Sequence, residues 1–242
     1  GDVYKRQVRC MTLTWNNTNN WADSANDTIR WGGLNDLGRA VVAEMDRLGM
    51  VIDLSHAADS TFFDVLRETA NPVLVSHSCM RALCDIPRNI SDDMLRALAG
   101  NGGVVCVNFF AGFLDKGYLD RVNVLWEEMR GRRRELTGLC GGDMETAWNS
   151  LWPEYRSRLD EIERPGIARL VDHIDHAVRI AGVDHVGLGS DFDGISATPD
   201  GLEDVSDLPA LTAALLDRGH GEEDVRKLLG GNLLRVFGAV CR

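Results

Sequence analysis

Two of the six histidines in this 242-residue chain stand at matching places, each ending a short apolar run with a Ser-His pair. The runs are Val51-Ile52-Asp53-Leu54-Ser55-His56 and Val73-Leu74-Val75-Ser76-His77. Short apolar segments rich in β-branched residues read as buried strands. In parallel β/α proteins the chemistry gathers beyond the C-terminal strand ends, so neighbouring strands would aim both imidazoles into one pocket. Imidazole nitrogen is a good ligand for zinc-like ions, so such a pair can hold a divalent metal. A third apolar run ends in Gly187-Leu188-Gly189-Ser190-Asp191-Phe192-Asp193-Gly194, where glycines permit close backbone approach. Its Asp191 is suited to take or orient the proton of an activated water. Arg88 follows Ile86-Pro87 in a loop on the same side. It is either an exposed surface arginine or a fork for a substrate carboxylate, which guanidinium pairs bidentately.

The other histidines are placed less well for chemistry. His173 and His176 lie within a helical pattern on the outside of the sheet and read as structural, His185 precedes its strand, and His220 sits in a Gly-flanked turn that reads as surface. Nucleophile chemistry has no support. There is no G-x-S-x-G, and none of the six scattered cysteines stands in a context that would activate a thiolate.

Elements that would position these residues alternate along the chain. Strand-like runs cover Val8–Thr14, Met50–Leu54, Pro72–Val75, Gly103–Phe109 and His185–Gly189. Helical patterns fill most gaps. Asn35–Leu48 puts Leu37, Val41, Met45 and Leu48 on one face, with Gly49 as stop. Further helices are read at Asp59–Thr69, at Ser91–Leu98 with Ser91 as N-cap, at Ile167–Ile180 and at Glu222–Val240. Apolar strands alternating with helices imply a parallel sheet covered by helices. No nucleotide-binding glycine motif follows any strand, which favours a barrel over a doubly wound sheet. Residues 111–165 break the rhythm. This stretch is too long for an ordinary connection, carries Trp126, Trp148 and Trp152, and reads as a helical insert of the kind that forms lids or subunit contacts.

A formal charge of −11 disfavours nucleic acid and anionic membranes as partners, since phosphates would repel the average surface. No stretch is apolar for long enough to span a membrane. Dispersed cysteines in a chain this size need no disulfide framework and favour a reducing, cytoplasmic setting.

Together these segments resemble the membrane (renal) dipeptidase family, binuclear zinc dipeptidases with a barrel fold related to the amidohydrolases. The similarity runs from about Val8 to the end, through Leu13-Thr14-Trp15-Asn16-Asn17, Ile52-Asp53-Leu54-Ser55-His56, Val75-Ser76-His77-Ser78, Pro87-Arg88-Asn89, Gly189-Ser190-Asp191-Phe192-Asp193-Gly194 and Asn232-Leu233-Leu234-Arg235-Val236-Phe237. The resemblance implies a TIM-like (β/α)8 metallo-hydrolase barrel that hydrolyses dipeptides with zinc. His56 and His77 match the ligands of the second zinc, Arg88 the anchor of the dipeptide carboxylate, and Asp191 the aspartate that contacts substrate and the attacking water. Asn89 and Trp15 fall at substrate-side positions, and Trp15 replaces a histidine of the mammalian enzymes, which implies an altered substrate preference. A homodimer is also implied.

The family's first-zinc His-x-Asp and its bridging glutamate precede the segment matched here. The expectation is therefore an incomplete barrel, residues 8–242 supplying about five of eight strands behind a non-native or artefactual leader at 1–7, with weak metal binding and activity that is absent or impaired. Two other readings stay open: a different amidohydrolase-like enzyme acting on a lactone, cyclic amide or phosphoester, and a non-catalytic interaction protein that keeps the fold.

Overall fold

The computed structural model describes residues 8–139 and 142–241, so the expected leader at 1–7 lies outside the described residues. Five strands form one sheet: β1 (Cys10–Thr12), β2 (Val51–Asp53), β3 (Leu74–Ser78), β4 (Val104–Asn108) and β5 (Val186–Gly189). All neighbouring pairs are parallel, and the order in space is the order in sequence. A doubly wound sheet reverses its strand order at a switch point, whereas a barrel does not. The sheet is thus five consecutive strands of a TIM-like barrel.

The two-residue period divides each strand between two environments. Ile52, Val75, Val105, Val107 and Val186 pack toward the covering helices. Val51, Leu74, Val104 and Cys106 face the other way, against Val236 and Val240 near the C-terminus. Two residues further along, this second face turns polar at Asp53, Ser76 and Asn108. Apolar at the N-terminal end and polar at the C-terminal end, the inner face prepares one rim for chemistry.

The helices α1 (Asp36–Leu48), α2 (Asp59–Glu68) and α3 (Asp92–Asn101) return the chain between the first strands. Asn35 caps α1 by accepting from Gly38 N, and Ser91 caps α3 by accepting from Met94 N beside Asp92 and Asp93. Gly49 closes α1 with φ 65°, a conformation cheap only for glycine. The buried stripe of α1 differs from the one read in the sequence. Gly38, Val42 and Met45 are buried, while Leu37 is 53% exposed and Leu48 also faces solvent. Gly38 decides this, because a Cβ there would stand 2.4 Å from Trp21 O, so only that face can approach the preceding loop.

After β4 the chain forms α4 (Ala111–Leu114), α5 (Lys116–Leu139), α6 (Met144–Asp160) and α7 (Ile167–Ala181). The long hairpin of α5 and α6 has its own core of Tyr118, Val122, Met129, Tyr155 and Leu159. Trp126, Trp148, Trp152 and Tyr155 cluster along it, mostly edge to face or tilted, with centroids 5.1–5.8 Å apart. A further helix, α8 (Leu208–Asp217), went unread in the sequence because its mostly apolar run gives little amphipathic contrast. The single helix expected over Glu222–Val240 is divided into α9 (Glu222–Arg226), a wide turn at Lys227–Gly231 and α10 (Asn232–Val240). Gly230, at φ 157°, breaks it. The Asn232 amide then donates to Val183 O and Val186 O, pinning α10 under the start of β5. Among the described residues no helix is long and apolar enough to cross a membrane, and the five cysteines are free thiols.

Four histidines are structural. His173 accepts at Nδ1 from Met80 N and donates from Nε2 to Leu114 O, both at 3.0 Å, joining α7 to the loop after β3 and to α4. His176 pairs with Asp92 and Arg179, and His185 with Gly103 O. His220 is not the solvated turn residue expected. Its ring is largely covered and bonds Asp175 at 2.8 Å.

Burial lowers the His173 pKa from 6.5 to about 4. The unfolded chain binds this proton near pH 6.5 and the folded chain only near 4, so folding stability falls as pH drops through that window. Protonation at Nδ1 also removes the acceptor for Met80 N. His173→Leu should cost about 1 to 3 kcal/mol at pH 7 by stranding two buried backbone groups. It should also flatten the pH dependence of stability between 6.5 and 4 relative to the parent. Urea unfolding at pH 7 and pH 4.5 measures both effects, and an unchanged slope would show that His173 does not report on acid sensitivity.

Candidate active site

Asp53 is the innermost piece of the polar rim. Its side chain is 2% exposed, yet it receives four hydrogen bonds: Thr12 Oγ1 at 2.6 Å and Ser76 Oγ at 2.7 Å on Oδ2, and Ser55 N at 3.0 Å and Ser76 N at 2.9 Å on Oδ1. These donors come from β1, the end of β2 and β3. A buried carboxylate is tolerable when its lone pairs are filled this way, and the filling locks three strand ends in register.

His77 sits within β3, whose hydrogen bonding continues past Val75 to Ser78, beyond the strand end read in the sequence. Its backbone N–H donates to Ser55 Oγ at 2.9 Å, and its ring Nδ1 meets Ser76 Oγ at 2.7 Å. His56, just past β2, takes φ 68°. Its carbonyl accepts from Ala25 N at 2.8 Å, and its Nδ1 lies 3.1 Å from Asn16 Oδ1. The two rings meet edge to face, with Nε2 of one 2.9 Å from Nε2 of the other.

With Nδ1–H directed at Ser76 and at Asn16, each Nε2 presents a lone pair, and two lone pairs at this distance need a proton or a cation between them. Burial, with Arg88 nearby, lowers the His56 pKa to about 3 and lowers that of His77 as well, so both rings are neutral and able to ligate near pH 7. The donor set fits a borderline transition metal. Among the described residues, however, no group of three or more His, Cys, Asp or Glu side chains gathers as a full coordination shell would require.

Arg88 is not the exposed arginine of the bland reading. It is 6% exposed, and the only hydrogen bond of its guanidinium among the described residues is a 3.4 Å contact from Nη2 to His77 O, with the group lying over the Phe113 ring at 5.2 Å. Burial pulls its pKa down to about 10, partly offset by Asp53 and Asp191. Among the described residues the guanidinium has no ion pair with a carboxylate, so it is chemically able to receive an anion. Asp191, after β5, takes φ 56°. His56 and Asp191 are the only non-glycine residues with positive φ among those described, and such strain concentrates at functional sites. Asn108 Nδ2 donates to Asp191 Oδ2 at 3.2 Å, and among the described residues Oδ1 has no hydrogen bond. Gly194 makes room for that carboxylate, since a Cβ there would stand 2.3 Å from Oδ1.

Trp15, His56, His77, Arg88 and Asp191 all line one cleft of about 800 Å³, with Phe110, Phe113 and Ile195 as apolar walls. Trp15 stands at the mouth, 69% exposed. Asn89 is placed elsewhere. Its amide accepts from Cys79 N and donates to Cys84 O and Phe113 O, so it shapes the loop carrying Arg88 and has no group left for a ligand. Asp53, Asn108 and Asn16 were missed in the sequence. The polar residues Asp53 and Asn108 inside apolar strands were the available signal, because an inward polar position at a strand's C-terminal end has to bond something.

The sequence pattern of the membrane dipeptidase family (Peptidase family M19) matches residues 2–242. Among curated proteins, the chain is 38% identical over 234 residues to the dipeptidase aclJ of Aspergillus oryzae, covering 96% of this chain and 45% of that protein. It is 34% identical over 239 residues to dipeptidase 3 of Rattus norvegicus, covering 97% and 40%. The chain therefore spans about half the length of the curated relatives it matches. Among solved structures, the probable dipeptidase PvdM of Pseudomonas aeruginosa superposes with TM-score 0.80 at 33% identity, covering 99% of this chain and 64% of that one. A metallo peptidase of Rhodobacter sphaeroides, solved with a phosphinate mimic of the dipeptide L-Ala-D-Ala, superposes with TM-score 0.74 at 26% identity, covering 99% and 58%. On the strength of the family match over nearly its whole length, this chain belongs to the membrane dipeptidase family.

Proposed function

We propose that this protein hydrolyses dipeptides with the help of zinc, and that His56 and His77 are two of the metal's ligands. The observation that carries the reading is the buried, carboxylate-free Arg88 in the same cleft as two converging neutral imidazoles. A short peptide with a free C-terminal carboxylate meets both: an anion for the guanidinium and a carbonyl within reach of the metal side. A simple lactone or cyclic amide offers no such anion, and a phosphoester carries its anion on the reacting group itself rather than at a distance from it. The relatives' names and the phosphinate dipeptide mimic bound to one of them support the same substrate class.

Zinc, when bound, would supply the Lewis acidity that polarises the scissile carbonyl. The remaining work falls to this chain's residues. Arg88 holds the terminal carboxylate through a pair of charge-assisted hydrogen bonds and so fixes the distance from that end to the peptide bond. Asp191, steadied at Oδ2 by Asn108, keeps Oδ1 available to take a proton from the attacking water and return it to the leaving amine nitrogen. Phe110 and Phe113 exclude solvent behind the guanidinium, and Trp15 covers the mouth where the side chains of the substrate emerge.

Dipeptide hydrolysis by the zinc-supplemented protein is the direct test, and failure on every dipeptide with a free carboxylate rejects the reading. Arg88→Ala should raise KM for dipeptides roughly ten- to hundredfold while leaving the corresponding dipeptide amides little affected. An equal effect on both substrates would count against the carboxylate anchor. Asp191→Asn should lower kcat by about 10²- to 10⁴-fold with little change in KM. Gly194→Ala, by displacing the same carboxylate, should lower kcat about a hundredfold with the fold intact by circular dichroism. A Gly194→Ala enzyme with parental kcat would show that the close approach is not needed for the chemistry.

A further inference from the structure

The two imidazoles are supported unequally. Behind His77 runs a chain of three side chains: Ser76 Oγ stands 2.7 Å from His77 Nδ1 and 2.7 Å from Asp53 Oδ2. Proton counting gives this chain one direction. The Asp53 oxygen only accepts, and it already receives the Thr12 hydroxyl at 2.6 Å. The single Ser76 hydroxyl proton therefore goes to Asp53, and its oxygen is left to accept. It accepts from His77 Nδ1–H, while Ser55 Oγ, 3.2 Å from it, directs its own proton to His77 O. The Ser55 hydroxyl in turn accepts from His77 N at 2.9 Å. Every atom of the chain has its partner, and no reversed arrangement satisfies the carboxylate. His56 has no such backing. Among the described residues its Nδ1 meets only the side chain of Asn16, an exposed residue whose amide can present either its oxygen or its nitrogen.

We propose that Asp53, acting through the hydroxyl of Ser76, is the positioning residue that holds His77 in its Nδ1–H form, making it the fixed ligand of the metal site while His56 adapts. The proposal rests on the reading of His56 and His77 as metal ligands. Without metal, Asn16 turns its amide, His56 carries a proton on Nε2 and donates it to the His77 lone pair 2.9 Å away. With metal, the His56 proton would pass through solvent from Nε2 to Nδ1 and Asn16 would turn back to accept it there, while nothing on the His77 side would have to move. Carboxylates that fix a ligating histidine directly commonly change metal affinity ten- to a hundredfold when removed. Here the serine extends that reach by one hydroxyl, so the carboxylate can be buried between strands and serve as their clamp as well.

The test uses this chain with zinc alone, titrated against a chromogenic chelator, together with nitrogen NMR of ¹⁵N-histidine-labelled, metal-free protein. The parent should take up zinc, and His77→Ala should lose it. The parent His77 signals should show one tautomer, with the proton on Nδ1. Ser76→Ala should weaken zinc binding roughly ten- to hundredfold and shift His77 toward a tautomer mixture, with an unchanged circular dichroism spectrum. Ser76→Thr, which keeps the hydroxyl, should restore both. Asp53→Asn should match Ser76→Ala, and the double variant should bind no more weakly than either single one, as members of one chain do. If Asp53→Asn does not fold, the Ser76→Ala and Ser76→Thr pair decides. Parental affinity and an unchanged His77 tautomer in Ser76→Ala would overturn the relay while leaving the metal site standing. Absence of His77-dependent zinc uptake in the parent would overturn the site reading and the proposal with it.

Discussion

The whole rim depends on burying the Asp53 carboxylate without leaving any of its lone pairs unfilled. A bare carboxylate at this depth would cost several kcal/mol or would take up a proton. Four donors from three consecutive strand segments remove that cost together, and no one of them can move alone. Register, usually a matter of apolar packing, is thereby tied at the C-terminal edge to a polar contact. His56 follows Ser55 by one residue and His77 follows Ser76 by one residue. The clamp and the candidate ligands are neighbours in the chain, so the geometry of the first is passed to the second with little freedom between them.

A second layer of support comes from outside the sheet. The loop from Cys79 to Ile90 carries Arg88, and it is closed on itself by Ile90 N to Cys79 O and by the three bonds of the Asn89 amide. From α7, His173 holds Met80 N, and Arg169 donates to Leu83 O and Leu114 O. The loop therefore cannot swing Arg88 outward to solvent to relieve its burial. The guanidinium remains desolvated and short of partners, a condition that costs stability in the free protein and is relieved when an anion arrives. Beside it the two imidazoles converge to 2.9 Å between their Nε2 atoms, a spacing that holds one proton or one cation between them. Packing that looks merely structural on α7 is what keeps the buried guanidinium in place.

The legible part of this architecture was the part that periodicity encodes. Apolar strands at regular intervals and repeated Ser-His endings placed His56, His77 and Asp191 on one rim, because side-chain alternation and the C-terminal rule leave little choice. The family resemblance added Arg88 with a role, and the buried guanidinium in the cleft agrees with its surroundings. What escaped depended on partners far away in sequence. Asn89 looks like a ligand group in a polar loop, and only its three backbone partners, up to 24 residues distant, show otherwise. Leu37 and Leu48 fit an amphipathic face as well as Val42 does, and the contact of Gly38 with the Trp21 carbonyl decides between them. Gly230 interrupts a helix that its flanking residues would continue. His220 reads as a turn until Asp175, 45 residues earlier, is found against it.

The cleft also joins parts of the fold that are stabilised separately. His56 and His77 stand on strands clamped by Asp53, but Asp191 reaches them from β5 through a single side-chain bond to Asn108 on β4. Asn108 is itself fixed at both ends: its side-chain oxygen accepts from Phe110 N, and its carbonyl accepts from the Cys79 thiol at 3.2 Å. Cys79 belongs to the Arg88 loop. One buried asparagine thus couples the Asp191 carboxylate to the segment that carries Arg88. The two groups that would touch opposite ends of a substrate share a support that touches neither, and their spacing is set by β4. The left-handed turn at Asp191 fits the same scheme, since it aims the carboxylate back across β5 toward Asn108 where an extended residue would continue outward. Strain at Asp191 and at His56 is the local cost of turning side chains from separate strands toward one point, and the filled polar network beneath them is what the fold sets against it.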